Sequence, residues 1–274
     1  MVGAKEIVIK VIPSKIANDF VKRWHYSGKI VNNSKLHFGA FLNNILHGVM
    51  SFGSSLDKRK IQGLVKGTLW NEFLELNRMA FDNILPRNSE SRCLSIAFRL
   101  IRKNAPHIKW IVSFADGTQC GDGTIYRASG FVLTGIKEND QIWRLPDGYI
   151  FNDTSIRPGI GGAKAFGQVA SRVTLTKGKH IANTGASSMK QFKEAGAEPM
   201  KGFQLRYLYF LDPTARDRLT VPILPFSEID KRGAKMYLGK RPASIDSDAP
   251  GIPAGNKAAQ IRPQGSNILE LVNA

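Results

Sequence analysis

Apolar and polar residues alternate near the start of the chain, and apolar residues then recur at helical spacing. Glu6 to Ile12 alternates Ile and Val with Lys, which is typical of a strand that Pro13 ends. Ser14 is a predicted N-cap for a helix whose apolar residues recur at helical spacing as far as Trp24. Gly28 is predicted to stop this helix, so the chain begins as a strand followed by a helix.

Apolar runs separated by turn residues predict the next strands. Leu36 to Phe41 and Ile45 to Phe52 are joined by Asn43-Asn44, which predicts a hairpin. Leu74 to Phe81 predicts another strand, which Asp82-Asn83 closes.

Helices and strands then alternate as far as residue 136. A helix is predicted from Ser89 to just before Pro106, and Trp110 to Ala115 reads as a strand buried on both faces. A short helix around Thr124 to Ser129 leads into a strand over Phe131 to Ile136. The order β-α-β-β-β-α-β-α-β predicts a mixed α/β fold with a mostly antiparallel first half.

The composition changes after about residue 150. A basic, Gly-rich insertion is predicted at about 155–200, and Phe203 to Leu211 returns to strand alternation. From residue 243 the chain lacks aromatic residues and is rich in Pro, Gly and Ser, which predicts a flexible tail over 243–274. We therefore expect one catalytic domain over 1–242 that carries the insertion.

The charge balance points to a polyanionic partner. The 274 residues carry a formal net charge of +17, and the apolar fraction of 42% is enough for a real core. Duplex DNA is the favoured partner, because each phosphate contact releases condensed counterions, while an anionic membrane surface or simple solubility are the alternatives. Two cysteines and the lack of a long apolar stretch predict a reducing, cytoplasmic location without a membrane span.

Four clusters carry candidate chemistry, and each also has a purely structural interpretation. His25 and Tyr26 next to Gly28 suit a metal site or proton transfer, or form a helix cap. Asp116 follows a buried strand, where open α/β sheets bind ligands, but it is equally typical of a turn. Tyr126 follows a glycine pair and is placed either to bind a base or to pack on the sheet.

The fourth cluster combines a buried-strand arginine with two serines. Arg78 interrupts an apolar strand, which costs desolvation energy unless it faces a cleft or a partner. Ser89 and Ser91 lie at a predicted helix N-terminus, which is a natural anion site, although plain capping is the alternative.

Five motifs in order resemble the phage Mu Mom family. They are Trp24 to Ser27, Glu75 to Asp82, Pro86 to Ser91, Ser113 to Asp116 and Gly123 to Ser129. Residues 206–209 and 222–225 resemble the family's C-terminal part more loosely. The resemblance implies a fold similar to the GNAT superfamily of N-acetyltransferases. It also implies conversion of the adenine N6 amine in duplex DNA to a carbamoylmethyl group, which protects phage DNA from restriction.

The resemblance also implies roles for individual residues. Those roles are iron binding for His25, Tyr26 and Asp116, and a part in activity for Arg78, Ser91 and Tyr126. The segment Arg87 to Arg92 departs from the acetyltransferase diphosphate loop, because Glu90 and Arg92 stand where small residues are expected. Acetyl-CoA is therefore a doubtful donor, and the sequence does not identify the true one.

Two rival functions follow from the same residues. One is a coenzyme A-dependent N-acetyltransferase for another amine, and the other is a non-catalytic basic accessory protein that binds DNA. If the protein binds DNA, the basic insertion is expected to contact the phosphates through Arg172, Lys177 and Lys179. The alternative is that these residues belong to a solvated loop.

Overall fold

The computed structural model describes residues 4–118, 121–139, 141–156, 162–178, 180–182 and 187–234. The strands are β1 (Val8–Val11), β2 (Ser34–Leu42), β3 (Ile45–Gly53), β4 (Phe73–Phe81), β5 (Trp110–Asp116), β6 (Val132–Glu138), β7 (Ile142–Arg144), β8 (Ile150–Asn152), β9 (Glu198–Pro199) and β10 (Phe203–Phe210). The helices are α1 (Ser14–Trp24), α2 (Lys58–Gln62), α3 (Ser89–Asn104), α4 (Thr124–Ala128), α5 (Gly162–Lys177), α6 (Ser187–Glu194) and α7 (Ser227–Lys231). Within these ranges no helix is long and apolar enough to cross a membrane.

A seven-stranded sheet organises the fold, in the order β1-β2-β3-β4-β5-β10-β6. Its neighbours are antiparallel except β4 and β5, which pair in parallel. Helices cover both faces. The predicted fold class, a mixed and mostly antiparallel sheet flanked by helices, is confirmed.

Local signals explain the hairpin but not the start of the first helix. Asn43 and Asn44 have φ values of 50° and 62°, the left-handed backbone that a two-residue hairpin turn requires. The predicted N-cap was wrong by one residue, because Pro13 takes the cap position and Ser14 is the first helical residue. Proline tolerates that place because the first N–H groups of a helix have no intrahelical partner.

Two apolar layers enclose the sheet. On one face α3 packs its buried side chains, such as Leu94 and Phe98, against Phe38 and Phe52 of the sheet. On the other face α1 packs against the β2–β4 half through Val21. The α3 face and the α1 face, so defined, differ in the chemistry they carry.

An insertion with its own apolar core lies between β6 and β10. It contains the three-stranded sheet β8-β7-β9 and the helices α5 and α6. The eleven buried members of its core all fall within 143–197, with Phe166 and Phe192 among them. The insertion predicted at about 155–200 falls within this unit, which starts earlier, at β7. The predicted tail lies outside the described residues.

Candidate active site

The parallel strands β4 and β5 separate after a short stretch of pairing. They are paired only where Phe73–Glu75 meets Trp110–Val112. The Ser113 hydroxyl then donates to the carbonyl of Leu76 over 3.3 Å. Beyond this point β4 and β5 no longer pair with each other, so the sheet opens between them.

A β-bulge in β4 places two charged residues on the same face of the sheet. Ser51 pairs with Arg78 and Phe52 pairs with Leu76, so Asn77 has no opposite residue. Residues three apart in a regular strand lie on opposite faces, and an extra residue cancels that alternation. Glu75 and Arg78 therefore both lie on the α1 face, beside the opening.

Arg78 is a partly buried charge at the centre of this site. Its Nε donates to the carbonyl of Lys29 over 2.9 Å, and its Nη1 donates to the carbonyl of Asn77 over 2.7 Å. Burial lowers the pKa of Arg78, while Tyr26, Glu75 and Tyr126 raise this pKa electrostatically. An arginine remains protonated in such a setting, so the site holds a fixed positive charge.

His25 caps the end of α1 as a neutral side chain. Burial, assisted by the charge of Arg78, lowers its pKa to about 3. Its Nδ1 accepts from the backbone N–H of Ser27 over 3.2 Å and lies 2.8 Å from the Ser27 hydroxyl. Since a backbone N–H can only donate, the hydrogen-bond network assigns the ring proton to Nε2. The Tyr26 ring lies against it at 4.3 Å between centroids.

Asp116 and Tyr126 approach the opening from β5 and α4. The side chain of Asp116 continues the face on which Val112 and Phe114 lie, and its Oδ1 accepts from the N–H of Thr118 over 2.9 Å. Tyr126 lies in α4, 5.3 Å from the Tyr207 ring on the α3 face. Tyr126 also raises the pKa of Arg78 electrostatically.

Ser91 lies at the N-terminal end of α3. It lies in the first turn of α3, and its hydroxyl donates to the carbonyl of Asn88 over 3.2 Å. Asn88, with φ 67°, takes the N-cap position without a side-chain cap bond. Helix α3 covers the same face of the sheet as Tyr126 and contacts α4, the helix that carries Tyr126.

Glu75 and Asn77 also belong to the site, although the sequence interpretation assigned no role to either residue. Burial raises the pKa of Glu75, while hydrogen bonds from Ser55 and Asn77 and the charge of Arg78 lower this pKa. Asn77 is itself buried and accepts from the Ser34 hydroxyl over 3.0 Å. One signal was available, since Glu75 interrupts the apolar strand just as Arg78 does.

His25 is the one nitrogen ligand in the predicted metal set, and its ring is already hydrogen-bonded. In the described ranges no three His, Cys, Asp or Glu side chains group so that they could hold a metal ion. Moreover, Nδ1 of His25 is engaged by the Ser27 N–H, and Nε2 carries the proton in the assigned tautomer. Iron binding by His25, Tyr26 and Asp116 stays a prediction.

The predicted phosphate contacts lie in the insertion. Arg172, in α5, pairs with Asp147 over 3.2 Å and stacks over the Tyr149 ring at 4.1 Å. Lys177 is exposed at the last residue of α5. Lys179 lies outside the described residues.

The sheet, its single parallel pair and the charged group at their opening define a mixed α/β protein with a polar candidate active site. The chain belongs to the Mom protein family, whose family model matches residues 6–228. This confirms the family resemblance. A relative, the methylcarbamoylase mom of Escherichia phage Mu, is 33% identical over 222 residues, which are 81% of this chain and 82% of that protein.

Solved structures that are similar to the chain include two acetyltransferases. One is the ribosomal-protein-S18-alanine N-acetyltransferase of Escherichia coli, with a TM-score of 0.38, 9% identity, and coverage of 75% of this chain and 94% of that one. The other is an IAA acetyltransferase of Bacillus cereus, with a TM-score of 0.38, 12% identity, and coverage of 74% and 99%.

Proposed function

We propose that this protein transfers a carbamoylmethyl group to the N6 amine of adenine in duplex DNA. The observation that carries the proposal is the 33% identity to a protein named methylcarbamoylase. The geometry supports it through the polar group around Arg78, which lies at an opening in the sheet. The net charge of +17 suits a polyanionic substrate.

The reaction requires that the adenine be held in place and that one proton be removed from its N6 amine. Adenine N6 is a weak nucleophile, so a proton must leave it as the new N6–C bond forms. Extruding the adenine from the duplex costs a few kcal/mol of free energy. Contacts of the protein with the phosphates and of the adenine with the pocket must offset this cost. Asp116 is proposed to accept the N6 proton, since it is a carboxylate at the open end of β5.

Arg78 and Tyr126 are proposed to act on the donor. The fixed charge of Arg78 stabilises negative charge that develops on the departing group, and the Tyr126 hydroxyl gives that group a proton. The donor itself is not assigned. Glu90 in the first turn of α3 disfavours a diphosphate there, because it puts a negative charge where the anion would bind.

The insertion is proposed to add phosphate contacts through Arg172, Lys177 and Lys179. Binding of duplex DNA should lose roughly a thousandfold in affinity between about 50 and 200 mM salt, as for six or more phosphate contacts. Lys177→Gln should reduce the salt slope by about one, whereas Arg172→Gln also breaks the Asp147 pair and should loosen the insertion. Salt-independent binding would contradict DNA as the partner.

The test is the resistance of cellular DNA to restriction. DNA from cells that express the protein should resist enzymes whose sites contain adenine, and enzymes with sites of only G and C should still cut it. DNA from cells that express Asp116→Asn should be cut by both. Equal cleavage of DNA from wild-type and Asp116→Asn cells would contradict the proposal.

A further inference from the structure

The connection between β3 and β4, residues 54–72, exposes apolar side chains although it has a core to bury them in. Ile61, Leu64 and Val65 are buried against Phe73 and Trp110. In contrast, Leu56 is 89% exposed, Leu69 63% and Trp70 52%. The connection is therefore anchored on the sheet and presents a separate apolar set to solvent, which is typical of an interaction surface.

Trp70 is held outward by a tight turn. The N–H of Leu69 donates to the Glu72 carboxylate over 2.8 Å, and the N–H of Glu72 donates to the carbonyl of Leu69 over 3.1 Å. The Lys58 ammonium lies 4.4 Å from the centre of a Trp70 ring. The indole is thus positioned in advance and carries a cation beside it.

A groove of about 430 Å³ separates Trp70 from the start of the connection. Leu56, Lys58 and Arg59 line it with Trp70, and we call these four residues the Trp70 rim. Asp57 also lines the groove. Over residues 54–72 the chain has four basic side chains (Lys58, Arg59, Lys60 and Lys66) against two acidic ones (Asp57 and Glu72).

The Trp70 rim adjoins the candidate active site. Ser54 and Ser55 line the same groove. The carbonyl of Ser54 accepts from Asn33 and, over 3.5 Å, from Asn77, while Ser55 is a hydrogen-bond partner of Glu75. Only one hydrogen bond therefore separates the groove from the β4 segment that carries Arg78.

We propose that the Trp70 rim holds duplex DNA beside the active site, with Trp70 and Leu56 packing on the bases that flank the extruded adenine. The inference rests on the proposed function and names the surface that it requires. An exposed aromatic ring stacks on any base, an apolar wedge keeps a base step open, and Lys58 and Arg59 complement the adjacent phosphates. A second copy of the chain or another protein would not need the cations.

The test compares rim variants with a matched control. Trp70→Ala and Leu56→Ala remove the stacking and the wedge, and Trp70→Phe keeps an aromatic ring. Leu56 is almost fully exposed, so its variant tests the surface without disturbing the fold. Ile45→Ala is the control, because Ile45 is also an exposed apolar residue but begins β3 at the end opposite Ser54.

The measurements are affinity for an adenine-rich duplex and the fluorescence of 2-aminopurine that replaces single adenines in turn. Trp70→Ala and Leu56→Ala should each weaken binding by about tenfold and suppress the fluorescence rise that marks extrusion. The salt slope should stay that of the wild type, because no phosphate contact is lost. Trp70→Phe should fall between Trp70→Ala and the wild type, and Ile45→Ala should match the wild type.

The outcomes separate this inference from the proposed function. If the wild type modifies adenine but the rim variants bind, extrude and modify as Ile45→Ala does, the Trp70 rim has no such role. A change in sedimentation on Trp70→Ala, with unchanged DNA binding, would assign the rim to contacts between protein molecules and overturn the inference. A wild type that neither binds DNA nor modifies adenine would overturn the proposed function itself.

Discussion

Phe192→Ala should destabilise the insertion while the seven-stranded sheet keeps its stability. Phe192 is fully buried, and its ring centre lies 5.4 Å from that of Phe151 and 5.8 Å from that of Phe166. Removing a buried phenyl group costs about 3–5 kcal/mol. The core that surrounds it is drawn entirely from residues 143–197, so the loss falls on that unit alone.

Hydrogen exchange measured by mass spectrometry checks this prediction. Since about 1.4 kcal/mol corresponds to a tenfold change in an equilibrium constant, amides in α5 and α6 should exchange on the order of a hundred- to a few thousandfold faster. Amides of β2 to β4 should be unchanged. Lys190→Ala, an exposed change in the same helix, is the control. Equal acceleration in the sheet and the insertion would refute the view that the insertion is an independent cooperative unit.

Three further predictions concern the site and the core. Asp116→Asn should abolish modification while DNA affinity stays within about twofold, and full activity would remove the proposed base. Gly123→Ala should destabilise the protein by about 1–3 kcal/mol, because φ is +77° and the new Cβ would lie 2.6 Å from the Tyr207 ring. Gly148→Ala is the control, because Gly148 has a similar φ of +85° but a Cβ added there would have no atom within 4 Å. If Gly148→Ala lowered the melting temperature as much as Gly123→Ala does, the clash with Tyr207 would not be the cause. Burial raises the pKa of Cys93 to about 12, so its thiol should react with iodoacetamide only when the protein unfolds. The reaction is measured in a Cys120→Ser background, and rapid labelling of the native protein would contradict the burial of Cys93.

Much of the sheet could be predicted because its local signals agree with its tertiary contacts. The hairpin turn at Asn43 and Asn44 and the strand β5 have sequences that suit both their backbone and their burial. Arg78 was identifiable for a different reason. A charge inside an apolar strand is costly, so its presence points to a cleft.

The rest depends on contacts that no short pattern reveals. The bulge at Asn77, which places Glu75 beside Arg78, is set by pairing with β3 and not by the residues of β4 alone. Helix α5 contains Gly162 and Gly167, which weaken helical propensity, and packing against the insertion core overrides this weakness. At α3, the structure gives the N-cap position to a left-handed Asn88, which the serine pattern did not indicate.

The central claim is that this chain modifies adenine, and mass spectrometry of nucleosides tests it most directly. DNA from cells that express the wild type, digested to nucleosides, should contain deoxyadenosine with a carbamoylmethyl group in place of one N6 hydrogen. DNA from cells that express Arg78→Lys at the same level should contain little or none, because lysine cannot reproduce the Nε and Nη1 contacts that hold the charge in place. A wild-type sample in which all the deoxyadenosine is unmodified would contradict the account. The same yield of modified deoxyadenosine from Arg78→Lys as from the wild type would also contradict it.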